Sequence, residues 1–210
     1  MKTLLFCTAY FNSSIQRYID WVNYYKEKIP NCEMLLVHDG PIDVELKKKL
    51  FIETNNYISD KNLADFPEKL LHQHPVFPSW WRSFMYALNE GKNKYDKIIH
   101  IESDAYVLSN RLFSYLNDIN SGWVALYSQK YKFPESAIQI INKDEFYRID
   151  NMPEMHDFKK IAEFAIPYTR LEKSFTGDRY GEDGKLPKYE IDYVCQWSLD
   201  WLIPEELIKK

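Results

Sequence analysis

The run Lys97-Ile98-Ile99-His100-Ile101-Glu102-Ser103-Asp104-Ala105-Tyr106-Val107 constrains this chain more than any other segment. Its first part alternates weakly and is almost wholly apolar, which reads as a strand buried on both faces of a parallel sheet. Glu102 and Asp104 follow, one residue apart. Inside such a strand an ionised carboxylate would need a partner or a metal. At the strand's carboxyl end it faces the crevice where open α/β sheets bind ligands. Two carboxylates there form a hard, negative pocket suited to Mg2+ or Mn2+, which in turn holds phosphate oxygens. The expectation is a metal–phosphate site at a sheet edge; the plain alternative is a pair of solvated strand-end charges.

Neighbouring segments supply the rest of such a sheet. Residues 3–8 read as a first strand, and Asn12, Ser13 and Ser14 offer helix-start chemistry for a helix over 15–28 that Pro30 stops. Residues 34–37 form a second strand running into the turn His38-Asp39-Gly40-Pro41. Then come a helix over 44–50, a short strand or loop near Tyr57 and Ile58, and a helix over 79–90 that Gly91 caps. The acidic strand and a helix over 110–116 complete the first half. This βα alternation implies an α/β fold with a doubly wound, mostly parallel sheet. Beyond it, residues 123–127 and 137–141 read as strands, with a polar helix start at Asn142. One or two helices are expected over 152–164 and a final strand over 189–197. Residues 176–185 are polar, glycine-rich and aperiodic, and read as a mobile loop.

A length of 210 residues fits one domain with a sizeable core, and no repeat or linker divides it. The net charge of −4 gives no general attraction for nucleic acid, so none is expected as a partner. Aromatic residues reach 16%, which suits a cleft that stacks rings or sugars. Cys7, Cys32 and Cys195 are odd in number and lack metal-ligand spacing, as free thiols in a reducing compartment do. The start of the chain lacks the apolar core and cleavage site of a signal peptide, and nothing approaches the length of a membrane span. A cytoplasmic location is expected, with residues 201–210 as a weak candidate for peripheral membrane contact.

The candidate ligands fall at strand ends and one helix start: Thr8-Ala9-Tyr10, Asp39, Trp80-Trp81-Arg82-Ser83 and Glu102-Ser103-Asp104. In this order the chain resembles the GT-A nucleotide-sugar glycosyltransferases, and among them the small bacterial type that builds surface glycans such as lipopolysaccharide or capsule. The resemblance covers the first half to two-thirds of the chain. It implies that Thr8, Ala9 and Tyr10 meet the nucleobase, that Asp39 meets base or ribose, and that Arg82 approaches the nucleotide. Glu102-Ser103-Asp104 takes the place of the acidic DxD motif as an ExD variant. Asp104 and Glu102 are then ligands of Mn2+ or Mg2+, with Ser103 among the donor-nucleotide contacts. Two departures stand out: Glu replaces Asp at the motif's first position, and bulky Pro78-Ser79-Trp80-Trp81-Arg82-Ser83-Phe84 replaces a run of small residues around the Arg.

The resemblance further implies a single GT-A-like domain over 1–210, with a nucleotide-sugar half (1–120) and a short acceptor-side half (121–210). The reaction implied is transfer of a hexosyl-type sugar from a nucleoside diphosphate to a hydroxyl of a glycan or glycolipid, at the inner membrane face. An inverting transfer also needs a carboxylate to take the acceptor proton. Glu182 and Asp183 are the expected catalytic pair, since Gly181 and Gly184 would let their loop close, with Glu190 and Asp192 next.

Plainer readings stand beside these. Asp39 could be only a turn former, Arg82 a surface cation, and residues 8–10 merely the exit from the core. His72, His74 and His156 are weak candidates as further metal ligands, while His38 and His100 read as structural. Other classes stay open. A nucleotidyltransferase or phosphatase could use the same carboxylates, although no GxxxxGKS-type phosphate loop is present. A non-catalytic sugar- or nucleotide-binding module could dispense with Asp104 and the loop carboxylates.

Overall fold

A computed structural model describes residues 1–9, 15–29, 31–70, 78–153, 162–179 and 191–195. The chain runs β1 (Thr3–Ala9), α1 (Gln16–Lys28), β2 (Cys32–His38), α2 (Val44–Glu53), β3 (Leu63–Asp65) and α3 (Pro78–Gly91). It continues through β4 (Lys97–Ile101), β5 (Tyr106–Val107), α4 (Asn110–Asp118), β6 (Trp123–Ser128) and β7 (Phe133–Asn142). A 3₁₀ stretch (Lys143–Asn151), α5 (Ala162–Ala165), β8 (Arg170–Glu172), β9 (Gly177–Arg179) and β10 (Tyr193–Cys195) follow.

Seven strands form one sheet in the order β3-β2-β1-β4-β7-β6-β8. Only β7 runs against its neighbours; the other pairs are parallel, as the βα alternation implied. A small second sheet has the order β5-β10-β9. The nearly continuous apolar runs follow from cover on both faces. Leu5, Cys7, Ile99 and Ile101 pack toward the α1 side, while Leu4, Phe6 and Ile98 pack toward α3.

Several expectations need correction. Of the short strand or loop expected near Tyr57 and Ile58 the structure has the loop, and the edge strand, β3, comes a few residues on. The polar stretch after β7 is a 3₁₀ helix; of the helices expected over 152–164 only α5 lies among the described residues. Gly91 does not take the left-handed conformation of a helix cap. Its role is close approach, because an added Cβ would sit 2.7 Å from Ile98 Cδ1 and 2.9 Å from Leu4 Cδ2. The supposed loop over 176–185 begins as a strand. Gly177 is needed there because a Cβ would meet the buried Tyr193 ring at 2.1 Å; residues 180–185 lie outside the described residues. The aromatic surplus fills the core: Tyr18, Trp21, Tyr25, Trp81 and Trp123 are wholly buried. All three cysteines are buried and free. No described helix is long and apolar enough to cross a membrane.

Lys97 opens β4 with only 1% of its surface exposed. Its Nζ donates to the carbonyls of Leu116 (3.0 Å) and Asn117 (2.8 Å), which end α4 and have no partner within the helix. Burial lowers its pKa from 10.5 to about 8. The unfolded chain therefore binds the proton more tightly, so the buried cation costs stability below about pH 8 and that cost is relieved as pH rises toward 10.5. Lys97→Met removes the titration. Urea melts across this range should show wild type gaining on the variant by up to about 3 kcal/mol, at about 1.4 kcal/mol per pKa unit. A difference that does not change with pH would overturn the assignment.

Candidate active site

Because β1, β2 and β4 are parallel and in register, with Ala9 beside His38 and Phe6 beside His100, their carboxyl ends share one edge. Thr8, Asp39 and the Glu102-Ser103-Asp104 segment therefore converge there. The opposite direction of β7 brings its amino end, with Glu135, to the same edge.

On the β2 side the structure joins Asp39 to Arg82. Asp39 is buried and its carboxylate accepts from Arg82 Nη2 and, at 3.2 Å, from the Leu70 amide. Arg82 also donates to the Glu68 carbonyl at 2.8 Å, and its guanidinium lies 4.0 Å above the Phe66 ring. Asp39 is thus more than a turn former, and Arg82 is no loose surface cation: two charges separated by 43 positions fix each other. Gly40, at φ +109°, makes the turn after Asp39, and His38 Nδ1 lies 2.8 Å from its carbonyl. Thr8 is buried, and its Oγ1 has no hydrogen-bond partner among the described residues. Tyr10 lies outside them.

The acidic pair sits on a turn whose backbone is largely spoken for. Glu102 N donates to the Ala137 carbonyl (2.9 Å), and Ala105 N donates to the Glu102 carbonyl (3.0 Å). Trp80 Nε1 donates to Glu102 Oε1 at 2.8 Å, while Asp104 Oδ2 is 3.9 Å from Arg17 Nη1. Ser103, between them, is buried. Burial first, and the charge of Asp104 second, push the Glu102 carboxyl well above its usual range. Burial also raises Asp104, against the opposing pull of Arg17. Two such oxygens with little water suit a divalent cation that offsets their charge. No group of three metal-binding side chains occurs among the described residues.

Helix α1 secures the segment just beyond. Tyr25 Oη donates to the Ala105 carbonyl (3.0 Å) and accepts from Val107 N (3.0 Å), and Tyr24 Oη donates to the Val107 carbonyl.

Sequence reasoning missed a second group of charges at this edge. Glu135 is wholly buried and pairs with Arg179, whose other terminal nitrogen lies 3.5 Å from Glu163. Ser136 Oγ donates to Glu163 at 3.2 Å. Arg179, within the stretch that reads from the sequence as a mobile loop, is buried. The signal was weak: Glu135 lies two residues before the run 137–141 that reads as a strand, and β7 in fact begins at Phe133. Asp192 must be withdrawn as a spare base. It is buried, accepts from Ser109 Oγ (2.5 Å) and Thr176 N (2.7 Å), and pairs with Arg111, which ties β10 to the start of α4. Glu182, Asp183, Glu190, His72, His74 and His156 lie outside the described residues. His100 is structural as expected: it packs against Phe6 and Phe84, and burial lowers its pKa to about 3. A cavity of about 440 Å³ lined by Tyr57, Tyr86, Tyr95 and Glu33 lies elsewhere and contains none of the expected site residues.

No protein-family model and no curated protein matches the sequence. Solved structures do. The chain is similar to the glycosyltransferase GlyE of Streptococcus pneumoniae TIGR4, at 14% identity and a TM-score of 0.54, over 94% of this chain and 55% of that one. It is similar to a glycosyltransferase involved in glycosylation of the major capsid of PBCV-1 (10% identity, TM-score 0.51, 92% of each chain). The mannosyltransferase PcManGT from Pyrobaculum calidifontis, solved with GDP-Man and Mn2+, also matches (12% identity, TM-score 0.52, 81% of this chain and 54% of that one). The chain spans about half the length of GlyE and PcManGT. What it shares with all three is the fold, an α/β sheet of the GT-A type.

The α1 clamp can be tested directly. Tyr25→Phe leaves the Ala105 carbonyl and Val107 amide buried without their partner, at a cost of about 1–3 kcal/mol for each group. Urea melts should show that loss. Amide exchange should quicken at Val107 more than at Ile99 in the central strand, because the damage is local. An unchanged midpoint would remove the clamp from the account.

Proposed function

We propose that this chain is a glycosyltransferase that moves a sugar of hexosyl type from a nucleoside diphosphate to a hydroxyl of a glycan or glycolipid. The observation that carries the reading is the Glu102–Asp104 pair at the carboxyl end of β4, in a fold shared with glycosyltransferases. Thr8, Ala9, Tyr10, Asp39, Arg82 and Ser103 hold the donor nucleotide. Asp104 and Glu102 hold Mn2+ or Mg2+, which when bound offsets the negative charge that develops on the departing diphosphate. Asp39 keeps the Arg82 guanidinium in one place, so that its remaining donors are set before a ligand arrives. Residues 1–120 serve the donor and 121–210 the acceptor. The setting is the cytoplasmic face of a membrane where surface glycans such as lipopolysaccharide or capsule are built. Glu182 or Asp183 takes the acceptor proton.

Uridine or guanosine diphosphate should raise the melting temperature, and more so with Mn2+ present. Asp104→Asn keeps the side chain's shape but not its charge. It should keep the increment from nucleotide alone, lose the increment from Mn2+, and slow transfer by about 100-fold or more. Equal stabilisation in the presence of a chelator would end the metal role and leave nucleotide binding standing.

Glu182→Ala and Asp183→Ala, made separately, test the base. Lost turnover with donor binding retained assigns it, because a general base acts in the transition state. If neither slows turnover by more than about tenfold, Glu190 becomes the next candidate.

A further inference from the structure

We propose that Trp80 is a positioning residue: its indole N–H aims the Glu102 carboxylate at a bound divalent cation. The inference rests on the metal role of Glu102 given above. Trp80 is itself held, stacked on Phe84 with ring centroids 4.7 Å apart and planes at 12°, and edge-on to His100 at 5.8 Å. From that fixed ring Nε1 reaches Glu102 Oε1 at 2.8 Å. The Glu102 backbone is pinned on both sides, through Ala137 and Ala105. One carboxylate oxygen is therefore occupied by a rigid donor, while Oε2 accepts no hydrogen bond from a described residue. The chemistry of the donor matters. A Lys or Arg in the same place would orient the carboxylate equally well but repel the cation, whereas a neutral N–H orients it and leaves its charge for the metal.

The same helical turn carries Arg82, which holds Asp39 at the end of β2. The start of α3 thus grips one carboxylate on each side of the crevice. The two grips are separable: loss of the Trp80 N–H should weaken the cation and leave contacts on the Asp39 side alone.

The test uses Trp80→Phe, which keeps an aromatic ring over Phe84 and removes the N–H, with Trp80→Leu as a second variant lacking it. Mn2+ alone is titrated into wild type and each variant, and the free ion is read by electron paramagnetic resonance. Affinity should fall by about tenfold, the lower end of what partners of metal ligands contribute. In a Glu102→Ala background the same change at Trp80 should alter Mn2+ affinity less than about twofold, since the indole then has nothing to aim. Uridine or guanosine, which lack phosphate, should bind wild type and variant equally. Unchanged Mn2+ affinity in both variants overturns the inference alone, as does the same loss with and without Glu102. Failure of wild type to bind Mn2+ overturns this inference and the metal role together.

Discussion

The hydroxyls of Tyr24 and Tyr25 do what a neighbouring strand would otherwise do for residues 105–107. After Ile101 the chain leaves the large sheet, turns through the acidic pair, and joins the small sheet as β5 against β10. Buried backbone at such a crossing must find hydrogen bonds or forfeit about 1–3 kcal/mol per group. Here they come from side chains of α1, with Tyr25 both donating to Ala105 and accepting from Val107. The ring of Tyr106 packs against both tyrosines, so the segment is held by area as well as by hydrogen bonds. Glu102 and Asp104 consequently stand on backbone that is fixed on either side, the precondition for holding a ligand without reordering the chain.

Charge accounting around this edge distinguishes two kinds of buried acid. Three buried carboxylates have a guanidinium in direct contact: Asp39 with Arg82, Glu135 with Arg179, and Asp192 with Arg111. Each pair satisfies the rule that a buried ion needs a partner. Glu102 and Asp104 depart from it. Among the described residues the closest cation to either is Arg17, 3.9 Å from Asp104 and partly solvated. Asp39, Glu135 and Asp192 are thus each neutralised by a guanidinium, while the two carboxylates beyond β4 are left under-compensated. Burial raises both carboxyls, and the charge of Asp104 raises Glu102 further, which is the electrostatic condition that a divalent cation relieves.

The central sheet was legible because burial on both faces writes itself as uninterrupted apolar sequence, and the strand ends followed from where polar residues resume. Direction was not legible: nothing in residues 137–141 says that β7 runs against β4, and it is that reversal which brings Glu135 to the crevice. β3 has three residues, too few to display a period. Glycines misled in one direction. Gly91 and Gly177 were read as freedom or termination, yet both answer a close approach by side chains far away in sequence. The same limit hid the Glu135–Arg179 pair, whose members are 44 residues apart and individually look like surface charges. Asp39 and Arg82 were each legible as candidates; their union was not, because only the packing of α3 on the sheet brings them together.

Two features stood out in the sequence as separate departures from the GT-A pattern: Glu in place of Asp at 102, and tryptophans in place of small residues at the start of α3. In the structure they are one feature, since Trp80 and Glu102 meet in a single hydrogen bond of 2.8 Å. An Asp at position 102 would be shorter by one carbon–carbon bond, about 1.5 Å, and its oxygen would fall outside hydrogen-bond distance of the indole. A small residue at 80 would leave the longer Glu without a donor and free to sample several rotamers, at an entropic cost on ordering of up to about 1.5–2 kcal/mol. Each change is unfavourable alone and consistent with the other. The bulky helix start and the longer acid are therefore best understood as a matched pair, with the tryptophan ring supplying the rigidity that the extra methylene would otherwise lose.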